Sequence, residues 1–132
     1  MAKSVVNLMI HVYNMSDFDW MGYELNNYKD ASFHHLIIPK CKGGLETISN
    51  GAVLHRNTSH PYLHRIQEID PEIFEFITSE MIDMNFKGYL DFDNLRRIDD
   101  VLTVFERQHS GDTNGKGMPL IKEKYIKCRK KF

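Results

Sequence analysis

Four of the seven histidines in this 132-residue chain stand where imidazoles could do chemistry: the adjacent pair His34 and His35, and His60 and His64 in the stretch SHPYLH. On a helix, residues four apart project from one face, so His60 and His64 could both reach one metal ion. Such a pair alone is also ordinary surface decoration. The upstream pair changes its meaning, because two histidines on a strand and two on a following helix can converge. A neutral imidazole, with an ordinary pKa near ~6.5, can also accept a proton from water, so one member of the set could act as a general base.

The elements needed to position them are legible in the surrounding residues. Residues 33 to 38 (FHHLII) read as a strand that Pro39 ends, since proline has no amide hydrogen for the ladder. KCKGGLETISN follows as a long loop in which Gly43 and Gly44 are free to adopt positive φ, and residues 51 to 56 (GAVLHR) read as the returning strand. Thr58 or Ser59 can cap the next helix, with Pro61 in its first turn. Downstream, Asp70-Pro71 opens a helix carrying Ile73, Phe74, Ile77, Met81 and Ile82 at helical spacing up to Lys87-Gly88. A further helix places Leu95, Ile98, Val101, Leu102 and Phe105 on one face and closes at Ser110-Gly111. Residues 4 to 13 read as an additional N-terminal strand, and residues 17 to 30 as a polar connection dotted with aromatics. Trp20, Tyr13, Tyr23 and Tyr28 could form a nucleobase platform or a small aromatic core.

The expected fold class is therefore α+β. One domain covers residues 1 to 110, with its strand-and-helix core at about 32 to 67 and a helical part at 70 to 110. Residues 111 to 132 read as a flexible linker and a basic tail.

The order His34-His35, Pro39, Gly43-Gly44, Asn50, then His60 and His64 resembles the HNH endonuclease family in its ββα-metal form, specifically the variant with His-His and H-x3-H. The resemblance covers about residues 32 to 67. It implies a metal-dependent endonuclease that hydrolyses phosphodiester bonds in DNA, RNA not being excluded. It assigns His35 as general base, Asn50 as the residue that pins the loop and orients the base, and His34, His60 and His64 as ligands of one divalent metal. Magnesium or manganese would support turnover, and zinc or nickel suit three imidazoles by affinity. Lys40, Lys42, Arg56 and Arg65, which surround the histidines in sequence, would steady phosphates. The implied setting is the cytoplasm of a bacterial or phage-infected cell.

Two departures from the family pattern leave alternatives open. Three residues, Leu36, Ile37 and Ile38, separate His35 from Pro39 where the family usually has two. Either a one-residue bulge absorbs the extra residue and His34 stays the ligand, or His35 takes the ligand position and Leu36 falls where the base should be. The flanking CxxC knuckles are also absent. A catalytically inactive binding module or inhibitor is thus the main alternative, and a purely structural metal domain a third. His55 and Asn57 could support the site's histidines or be purely structural, and His11 and His109 read as ordinary polar residues.

Charge narrows the partners. The net charge of -1 argues against coating nucleic acid by bulk charge. Residues 70 to 100 hold nine acids against Lys87, Arg96 and Arg97 and would repel phosphate, whereas residues 120 to 132 hold six Lys or Arg against one Glu. DMNFKGYLDFDN, residues 83 to 94, imitates a calcium loop but places Lys87 at a ligating position and Asn94 where a bidentate Glu belongs. Cys41 and Cys128 are isolated, which suggests neither a disulfide framework nor a metal knuckle. No stretch is long enough to span a bilayer, and no signal peptide is readable.

Overall fold

The structure is a computed structural model that describes residues 9, 19 to 23, 25, 28 to 37, 42 to 43 and 50 to 109. Among these, β1 (Ala31–His35) pairs with β2 (Gly51–His55) as a two-stranded antiparallel sheet, followed by the helices α1 (Ser59–Ile69), α2 (Pro71–Lys87) and α3 (Phe92–Gln108). The fold is α+β, as its sequence pattern predicts. Apart from Met9, which is helical and buried rather than part of a strand, the expected N-terminal strand lies outside the described residues, as do most of the loop before Asn50, the basic tail, Lys40 and His11.

The strand bounds differ from expectation for a local reason. β1 begins at Ala31 and ends at His35, although Leu36 and Ile37 have the stronger strand propensity. Asn50 intervenes. Its carbonyl accepts from the Leu36 amide at 2.9 Å, and its side-chain oxygen accepts from the Ile37 amide, also at 2.9 Å, so a side chain replaces the next rung of the ladder. The register runs from Ala31 opposite His55 to His35 opposite Gly51 without interruption, so no bulge falls within β1.

Strand alternation then sorts the site residues. Ser32 and His34 share the face that meets α1, while Phe33 and His35 share the other with Gly51 and Val53. Phe33 lies directly over Gly51, where any β-carbon would collide with its ring, and the same ring packs edge-on against His35 at 4.8 Å between centroids. Gly51→Ala should therefore destabilise the protein by roughly 1–3 kcal/mol, the usual cost of overpacking a filled site. Urea denaturation measures this, and an unchanged midpoint would mean that the Phe33 ring moves aside freely.

A buried carboxylate fastens the sheet to the helix that follows. Asp19 Oδ1 accepts from the amides of Met21 (2.9 Å) and Tyr23 (3.0 Å), and Oδ2 accepts from the His55 amide (2.8 Å) and the Ser59 hydroxyl. Burial pushes this carboxyl above its usual range, and the four donors pull the other way. Ser59 is thereby diverted from capping. Thr58 holds the N-cap position of α1 without a side-chain cap bond.

The later helices obey the sequence signals closely. Asp70 Oδ1 caps α2 through the Ile73 amide at 3.3 Å, Pro71 takes the first helical position, and Gly88 ends the helix with φ 82°. Asp91 caps α3 through the Asp93 amide at 2.7 Å. Ile77, Met81 and Met84 of α2 and Leu95, Ile98, Leu102 and Phe105 of α3 are buried in the core with Tyr62, Leu63 and Ile66 of α1. Trp20 and Tyr23 are fully buried there too, so neither serves as an exposed stacking platform. The imitation calcium loop is neutralised from within: the Lys87 ammonium lies 3.2 Å from Asp83, 3.0 Å from Asp91 and 2.9 Å from Asn94 Oδ1. A lysine sits among the oxygens that a cation would need.

Candidate metal centre

His34 leaves β1 toward α1, on whose first two turns His60 and His64 stand four residues apart. The three rings form a nearly equilateral group, with centroids 5.2 Å (His34 to His60), 5.0 Å (His34 to His64) and 5.1 Å (His60 to His64) apart. One nitrogen from each lies within 4.8 Å of the others, and burial grades from His34, buried, through His60, half-buried, to His64, exposed. The cluster thus has a floor in the protein and a mouth at the surface.

The closest approach is informative. His34 Nδ1 and His60 Nε2 are 3.4 Å apart, long for a hydrogen bond. Two nitrogens bound to one tetrahedral ion at about 2.0–2.1 Å would sit roughly 3.3–3.4 Å apart. The spacing suits two ligands of one ion. The His64 nitrogen lies within 4.8 Å of the other two, on the exposed side of the group.

Partners on the far side of the rings favour the same arrangement. His64 Nδ1 donates to Gln67 Oε1 at 3.2 Å, and His60 Nδ1 faces Ser32 Oγ at 2.7 Å. With Nδ1 engaged, Nε2 of each helical histidine is left for an ion. Phe74 of α2 packs edge-on against His34 at 6.3 Å and helps to close the floor. Burial lowers the pKa of His34 to about 3, with further lowering from His60, His64 and His35. Burial likewise lowers that of His60 to about 4, with His64 and His35 adding to it. Both rings are accordingly neutral at pH 7 and carry free lone pairs, as metal binding requires.

His35 is not part of this cluster, though it is near enough to depress both His34 and His60. Its Nε2 is buried and has no hydrogen-bond partner among the described residues, as is also true of His34 Nε2.

The remaining expected site residues are placed as follows. Asn50 pins the hairpin through Leu36 and Ile37. Arg56 donates to the Ala31 carbonyl at 3.2 Å, and Arg65 pairs with Glu68 at 3.5 Å on the surface, an interaction of small weight. Lys42 is exposed. His55 accepts from the Asn57 amide at 3.1 Å and lies 3.7 Å from Asp30, a structural turn.

Sequence reasoning missed Ser32, Gln67, Phe74 and Asp19. Two of them had a signal: Ser32 is two residues before His34 on the same strand face, and Gln67 is one helical turn beyond His64. The other two are brought in by packing between distant elements, which no local pattern announces. Compared with family models, curated proteins and solved structures, the chain matches none.

Proposed function

We propose that this protein is a metal-dependent phosphodiesterase of the ββα-metal, HNH-like type, acting as an endonuclease on DNA. The observation that carries this reading is the convergence of His34 from a strand with His60 and His64 from the next helix, with a fourth histidine, His35, next to His34 in the chain. A divalent ion bound there supplies charge stabilisation to a phosphate and its leaving oxygen. His34, His60 and His64 hold that ion. His35 takes the proton from an attacking water, and Asn50 keeps the end of β1 in place beneath it. The open, His64 side of the cluster is where a substrate phosphate would enter, and Lys40, Lys42, Arg56 and Arg65 are the cations proposed to steady the flanking backbone, the two arginines on leaving Ala31 and Glu68.

The test is cleavage of supercoiled plasmid, and of a single-stranded RNA in parallel, with magnesium, manganese, zinc or nickel and with chelator alone. Metal-dependent cutting of DNA by the wild type, lost in His34→Ala, is the expected result. Cutting of RNA alone would move the substrate class. No cutting with any of the four ions, in a protein that still binds zinc, would return the chain to the inactive binding module.

A further inference from the structure

Ser32 Oγ makes two contacts with different requirements: the Leu54 carbonyl at 2.9 Å and His60 Nδ1 at 2.7 Å. A hydroxyl has one hydrogen, and a carbonyl oxygen can only accept. The Ser32 hydrogen therefore goes to Leu54, and toward His60 the serine oxygen is an acceptor. His60 Nδ1 must then carry the hydrogen and donate it. With the opposite tautomer, either the serine would lack a donor for Nδ1 or two lone-pair-bearing oxygens would face each other at 2.9 Å. The Leu54 carbonyl is itself held in place, because Ser32 and Leu54 are paired residues in the ladder.

We propose that Ser32 is a positioning residue that locks His60 in its Nδ1–H tautomer and so presents the Nε2 lone pair toward His34 and a divalent ion. This rests on the reading of the three histidines as a metal site. It deepens that reading by naming what orients the ligand on which the other two converge. The geometry is specific: Ser32 and His34 project from the same strand face, so one strand supplies both a ligand and the support of the ligand opposite it. Removing such outer support from a metal-ligating histidine ordinarily weakens metal binding by about 10–100-fold.

The experiment uses two readouts on the full chain, metal-free and zinc-titrated. Two-bond nitrogen–proton NMR correlations at neutral pH report which ring nitrogen of His60 carries hydrogen, and calorimetry gives the zinc affinity. In the metal-free wild type, His60 should be the Nδ1–H tautomer. Ser32→Ala should lose that preference and bind zinc about 10–100-fold more weakly, and Ser32→Thr, which keeps the hydroxyl, should restore both. A loss of packing alone would lower thermal stability without changing the tautomer. Finding the Nε2–H tautomer in the wild type overturns the proposal without any variant, so the test survives a Ser32→Ala protein that fails to fold. A wild type that binds zinc, with Ser32→Ala binding equally well, overturns the role of Ser32 and leaves the metal site standing. A wild type that does not bind zinc overturns the metal site itself, and with it the ligand-presenting role assigned to Ser32.

Discussion

Alanine in place of His35 should lower phosphodiester cleavage by roughly 10²–10⁴-fold, the range that a positioned general base contributes. Zinc affinity should stay within about threefold of wild type, since loss of a ligand's support already costs tenfold or more and His35 is outside the three-histidine group. The two readouts separate because the strand sorts its residues: His34 faces α1, whereas His35 shares the opposite face with Phe33. His34→Ala is the converse variant, expected to lose both activity and zinc. Added imidazole should restore part of the activity of His35→Ala by supplying the missing base. If His35→Ala cuts at the wild-type rate, His35 is not the base, and the proton must go elsewhere.

Much of the arrangement beneath this prediction follows from local rules. The order strand, loop, strand, helix is written in residues 31 to 69, and the i, i+4 spacing of His60 and His64 already places both on one face. Asp70-Pro71 and Lys87-Gly88 mark the bounds of α2 because capping chemistry is local. It is His34, not His35, that faces the helical pair. The ladder from Ala31 to His35 is uninterrupted, so it contains no bulge.

What was not legible depends on contacts distant in sequence. The apolar residues Leu36 and Ile37 imply a longer strand, yet the Asn50 side chain captures the Ile37 amide and ends it early. Thr58 and Ser59 both look like caps, but Asp19, forty residues away from Ser59, claims the Ser59 hydroxyl. Asp19, one of three Asp in an aromatic-rich connection, carries no sign that it will be buried with four donors. Even the depressed pKa values of His34 and His60 come first from burial and then from neighbouring histidines, His60, His64 and His35 for the former and His64 and His35 for the latter, and no residue type announces them.

Those depressed values predict how the metal-free protein responds to acid. Unfolded, His34 and His60 titrate near their ordinary 6.5, and folded they titrate near about 3 and about 4. Above pH 6.5 both states are neutral at these positions, so no penalty arises. As the pH falls below that value, the unfolded chain gains protons that the folded one does not, and stability declines until the folded rings protonate. Each ring contributes a slope of up to about 1.4 kcal/mol per pH unit in this window, with His60 contributing less because solvent reaches it. Asp19 acts in the opposite sense: its raised pKa lets the folded state take up a proton first on acidification, which offsets part of the loss. Urea midpoints measured without metal should therefore fall steadily from pH 6.5 toward pH 4, and His34→Leu, which removes the more strongly shifted ring, should flatten that decline. Equal slopes in wild type and His34→Leu would show that His34 is solvated in the folded protein, and the dry floor of the metal site would have to be abandoned.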